Sequence, residues 1–144
     1  MMNDEPERPV FPEGIGPHEG RELELMLAGK KPLAMFYEAV VLPVSDFYPK
    51  EDFMPHVEAG TFIRRDEIYP SRHSDIPAHN VYYALAREAW RLEEIHQLQA
   101  GLFIDGKPWT AEDDRKIGQL LGYSESEIEA WLNWIRDKPR FQES

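Results

Sequence analysis

Sixteen lysines and arginines against 27 aspartates and glutamates give this 144-residue chain a formal charge of −11, which excludes the counterion-releasing basic surface that nucleic-acid binding draws on. The absence of cysteine excludes disulfides, thiol nucleophiles and cysteine metal ligands, and no apolar stretch approaches the roughly 20 residues of a membrane span. The length and an ordinary hydrophobic content of 42% suit one domain with its own core.

Residues 1–17 carry Pro6, Pro9, Pro12 and Pro17 among acids and glycines, a composition that resists both helix and ladder formation. They read as a flexible arm, with the domain proper expected over 18–144. A short helix should follow. Leu23, Met26 and Leu27 share one face, Glu19 and Glu22 suit the positive start, Gly29 the left-handed stop, and Lys30 and Lys31 the negative end, while Pro32 forbids continuation. Residues 33–37 and 40–42 are then apolar without alternation, the pattern of a strand covered on both faces. This run is expected to be the central strand, with Glu38 marking its outward-turning end.

Residues 50–59 predict a second short helix stopped by Gly60; because proline is tolerated only in a first turn, Pro55 puts the expected start near Asp52. Residues 61–63 and 68–69 predict a strand beside the first, and the charged Arg64, Arg65, Asp66 and Glu67 between them point to an edge course. A polar loop over 70–80 precedes a third strand at 80–85. From about 87 to 100 the pattern is helical, with Leu92, Ile95 and Gln99 on one face and Gly101 as a candidate stop.

The last third is the most legible. Thr110 opens a capped helix whose apolar face is Ile117, Leu120 and Leu121 and whose stop is Gly122. Ser124 and Glu127 form a capping box for a second helix, in which Ile128, Trp131, Leu132 and Ile135 make an i, i+3, i+4, i+7 stripe. The two helices predict a hairpin over 110–137, turning at Gly122 and Tyr123. The fold class is therefore α+β: a small, mostly antiparallel sheet of about three strands, helices on one face, and a C-terminal helical hairpin.

Function is less legible. The hairpin does not read DNA, because its second helix offers Glu125, Glu127 and Glu129, with Arg136 and Lys138 only at its end. No G-x-S-x-G is present, and Gly14 and Gly16 do not follow a strand as a phosphate-cradling loop must. His73, Asp75 and His79 are residue types that ligate zinc or iron, and three such ligands would leave a position open for water, so a small metal-dependent enzyme is one reading. Without that metal the sequence implies no cofactor. A subunit of a larger assembly is another reading.

The leading expectation is an acidic, cytoplasmic, non-enzymatic protein-binding module of the adaptor, inhibitor or immunity-protein kind, docking on a basic protein partner. The helical period sets Trp134 roughly 100° from the apolar stripe and Trp90 on the far side of its helix from Ile95. These tryptophans, with Glu125, Glu127 and Glu129, are the expected contact residues.

Overall fold

The computed structural model describes residues 18, 20–39, 49–71 and 75–136. Three strands, β1 (Leu33–Ala39), β2 (Phe62–Tyr69) and β3 (Ala78–Leu85), form an antiparallel sheet in the order β1-β3-β2. Five α-helices accompany them among the described residues: α1 (Glu22–Leu27), α2 (Lys50–Glu58), α3 (Trp90–Phe103), α4 (Ala111–Leu121) and α5 (Glu125–Arg136). The α+β class, the antiparallel sheet and the C-terminal hairpin are as the sequence predicts.

The strand order differs from expectation. β3 is central, pairing Tyr82 with Met35 of β1 on one side and with Arg65 of β2 on the other. β1 lies beside β3 alone among the described strands, and β2 does not touch it. The apolar run of β1 reflects cover on both faces, which an outer strand can have as fully as a middle one. The centre belongs instead to Val81 to Leu85, every residue of which is buried. The charged middle of β2 marks an outer strand as predicted, though the strand runs unbroken through it.

Cover on both faces also means that the helices are not confined to one. Alternate residues of each strand point to opposite sides. Ala34, Phe36, Phe62, Val81, Tyr83 and Leu85 meet Met26 of α1 and Phe53 of α2. Leu33, Tyr69, Tyr82 and Ala84 meet Leu92 and Ile95 of α3 and Leu120 of α4. The first layer is rich in aromatic contacts, with Phe53 at 4.5 Å from the ring of Tyr83 and 5.5 Å from that of Phe36. Burying each such side chain contributes about 1.5–3 kcal/mol.

Several helix boundaries shift for local reasons. α2 starts at Lys50 and keeps Pro55 in its interior. Pro55 and Glu51, four residues earlier, are both exposed, so the carbonyl that loses its donor can be met by water. α3 passes through Gly101 to Phe103, because Leu102 beyond the glycine is fully buried. Leu27 is exposed, and among the described residues the six-residue α1 meets this layer through Leu23 and Met26. Residues 1–17 and 40–42 lie outside the described residues.

Candidate functional site

The C-terminal hairpin is built by its caps. At the start of α4, Thr110 Oγ1 accepts from the Asp113 amide at 3.3 Å while Asp113 Oδ2 accepts from the Thr110 amide at 2.8 Å. Burial pushes the Asp113 carboxyl up, but hydrogen bonds from Lys107 and Thr110 outweigh it and hold the group below the usual carboxylate range. Trp109, just before the cap, stands edge-on to Phe103 with centroids 5.8 Å apart, and its Nε1–H donates to Asp114 Oδ1 at 3.1 Å. The indole thus occupies the place of a hydrophobic staple, with a polar clasp.

α4 ends at Gly122, φ 98°, whose left-handed backbone is open to glycine with little strain. A side chain there would also come within 2.6 Å of Pro32 Cδ. Two residues on, Ser124 and Glu127 form the predicted capping box, with the Ser124 amide donating to Glu127 Oε1 at 2.9 Å and the Glu127 amide to Ser124 Oγ at 3.2 Å. The helices approach closely where Gly118 faces Ile128: an added Cβ would lie 2.9 Å from Ile128 Cγ1.

Between these helices lies a cleft of about 280 Å3, lined by Trp109, Ile117, Leu121, Tyr123, Ile128 and Trp131, with Gly118 and the carboxylates Asp114 and Glu127. Its aromatic walls are positioned by parts already described: Trp109 by its clasp, Tyr123 by the turn, Trp131 by the period of α5. Among the described lining residues two are acidic and none is basic.

Tyr123 is fixed from behind. His18 stacks on it with ring centroids 3.8 Å apart and planes at 7°, and the His18 amide donates to the Tyr123 hydroxyl at 3.0 Å. Lys31 lies behind the same ring, 2% exposed, donating to Leu121 O at 2.7 Å and to His18 Nδ1 at 2.8 Å. The carbonyl end it serves is therefore that of α4, not of α1 as its position after Gly29 suggested. Burial pushes the Lys31 ammonium down to about 7, with Glu22 opposing. Burial, with Lys31 beside it, lowers His18 to about 4.

The other sequence-predicted residues are dispersed. Trp90, 56% exposed, opens α3 and carries the Arg91 guanidinium 4.6 Å above its ring. Trp134 is half-buried against Trp131, centroids 5.1 Å apart. Of the α5 acids only Glu127 lines the cleft. Glu129 pairs with Arg115 at 2.6 Å and Glu125 accepts from Gln119 at 2.9 Å, so both staple the hairpin externally.

Of the proposed metal ligands, His73 lies outside the described residues, Asp75 is exposed, and His79 Nε2 is 2.8 Å from Asp66 Oδ2. Asp66 is itself gripped by Arg64, which with His79 holds its carboxyl down at about 2 against the opposing effect of burial. Among the described residues no group of three or more histidines and acids is placed to hold a metal ion.

A second polar cluster crosses the sheet towards α3. The hydroxyls of Tyr69 and Tyr82 are 3.0 Å apart, and His96 Nδ1 is 3.0 Å from that of Tyr69. Burial raises the pKa of both phenols, which keeps them protonated. Asn80 Oδ1 and Gln99 Oε1, buried beside them, have no hydrogen-bond partner among the described residues. The sequence reading missed this cluster and most of the cleft. A tryptophan directly before a cap residue was the available signal for Trp109; nothing local marks Tyr123 or Asp114.

No protein family, curated protein or solved structure matches the chain. No described helix is long and apolar enough to cross a membrane.

Proposed function

We propose that this chain is a protein-binding module whose docking site is the cleft of the α4–α5 hairpin and whose partner is basic. One observation carries the reading: an aromatic-walled apolar cleft whose described charged lining residues are both carboxylates, on a chain of net charge −11. Apolar walls with a few placed polar groups are the usual composition of a binding pocket. Tryptophan and tyrosine supply large contact area and are enriched where binding energy concentrates. The surplus negative charge would steer a positive partner and quicken its encounter. A cytoplasmic setting belongs to the same reading, since a chain without cysteine is compatible with a reducing interior.

Trp90 and Trp134 have different parts in this reading. Trp134 supports the cleft through Trp131, whereas Trp90, exposed at the head of α3, is a second contact that a large partner could reach. The test is selection of a random-peptide library on the full chain. Enriched peptides should combine basic with apolar residues, associate more slowly as salt rises, and dissociate faster from the Trp131→Ala chain. Enriched peptides that are acidic, or that bind the Trp131→Ala chain unchanged, would contradict the reading, as would a failure to enrich any.

A further inference from the structure

We infer that Asn80 and Gln99 hold a buried water molecule between them, a structural ligand that ties β3 to α3 beside the tyrosine cluster and is independent of the docking reading above. Asn80 is 1% exposed and Gln99 2%, and among the described residues the side-chain carbonyl of each has no hydrogen-bond partner. A buried acceptor in that condition loses its hydration without return, which is why native interiors pair such groups with protein or with water.

The two oxygens belong to amides that converge on one atom. From β3, Asn80 Nδ2 donates to the Tyr82 hydroxyl at 3.3 Å. From α3, the Gln99 amide meets the same hydroxyl while also donating to the Met35 sulfur at 3.3 Å. Each carbonyl therefore stands one amide width from the Tyr82 oxygen.

The cluster's own hydrogens cannot serve both carbonyls. Tyr69 and Tyr82 carry one hydroxyl hydrogen each, and one of the two is used in the 3.0 Å contact between them. The other goes to His96 Nδ1 when that nitrogen is the acceptor, which leaves nothing for either amide. When Nδ1 carries a proton instead, the chain of donation reverses and Tyr82 has one hydrogen to give. It serves one carbonyl at most, and turning that amide over to receive it exchanges an unpaired acceptor for an unpaired donor. The shortfall is two hydrogens on uncharged acceptors. Water is the smallest group that supplies them, and buried waters typically make about three hydrogen bonds to groups otherwise left unsatisfied.

The experiment measures nuclear Overhauser effects from the water signal to the carbon-bound Hβ protons of Asn80 and Hγ protons of Gln99 in the full-length chain. Both should give cross-peaks with the sign of a tightly held water. Gln99→Met keeps the length of the side chain and both tyrosine hydroxyls but removes one carbonyl, so the Asn80 cross-peak should fall several-fold. Stability is the weaker reporter, because Gln99→Leu removes the acceptor and the water together.

Absence of the cross-peaks in the unaltered chain would overturn the inference. So would an Asn80 cross-peak that survives Gln99→Met unchanged, since exchanging tyrosine hydroxyls would then be its source. A crystal structure of the unaltered chain reads the geometry directly: one water oxygen within about 3 Å of both Asn80 Oδ1 and Gln99 Oε1 is expected, and ordered amides that share no water would contradict it.

Discussion

The sheet and the hairpin solve the same burial problem differently. In the sheet, β3 is enclosed by strands on both sides and helices on both faces, and Phe53, Tyr82 and Tyr83 are fully buried. In the hairpin, α4 gives Leu120 to the core and closes on α5 through Ile128, but Ile117, Leu121, Trp109 and Trp131 remain half-buried around an open cleft. Apolar surface left in this state contributes little to folding and is available for binding. The difference separates the part of the molecule that makes it stable from the part proposed to make it useful.

The largest expected effect falls on the enclosed side. Phe53→Ala should lower stability by about 3–5 kcal/mol, the usual cost of emptying a fully packed aromatic site, read by denaturant unfolding. Gly122→Ala comes next, at about 2 kcal/mol or more, because it adds left-handed backbone strain to a contact with the rigid Pro32 ring. Its unfolding should begin in the hairpin, visible as early loss of the Trp131 environment. Trp131→Ala should cost only about 1 kcal/mol, since a half-buried ring forfeits much less than a core one. A loss as large as that of Phe53→Ala would show that the two regions are one core.

Lys31, at the join between the regions, gives a pH-dependent contrast. Its folded pKa is near 7 and its ordinary value 10.5, so between these the unfolded chain binds the extra proton and stability should rise with pH. The slope should be measured from about pH 7 to the onset of ordinary tyrosine titration near pH 10. Lys31→Met should flatten it, and an unchanged slope would show that the ammonium is not what burial destabilises. On the acid side His18 acts in the same direction: stability should fall as pH drops from 6.5 towards about 4, where the folded-state imidazole finally takes its proton.

The smallest effect is expected at Gln99. Its Oε1 has no partner among the described residues, while its amide donates to the Met35 sulfur at 3.3 Å and also faces the Tyr82 hydroxyl, opposing the rise that burial gives that phenol. Gln99→Leu should therefore be near neutral or stabilise by up to about 1 kcal/mol. A loss of several kcal/mol would show that the amide holds the tyrosine cluster together.

How far the sequence could carry these conclusions follows from the range of the forces involved. Both helix caps of the hairpin, the stop at Gly122 and the outer position of β2 are set by residues within a few positions of one another, and all were legible. Strand order was not. The unbroken apolar run of β1 records two-sided burial, and that signal is the same at the middle and the edge of a covered sheet. Lys31 shows the same limit at one residue, since its neighbours in sequence suggest the end of α1 while its nearest acceptor is 90 positions away. In the cleft, the stripe of α5 was readable, but Trp109, Asp114 and Tyr123 meet Trp131 only once two caps and a turn have brought the helices together. The tryptophan chosen for its helical phase, Trp90, is indeed exposed, yet phase alone could not indicate which exposed ring stands beside a cavity.

The most direct test is to follow the backbone and indole amide signals of the full chain during titration with a library-selected basic peptide. The docking account predicts that the largest changes fall on Trp109, Tyr123, Glu127 and Trp131, with the strands unmoved. Changes concentrated around Trp90, or along the β strands with the hairpin silent, would contradict it.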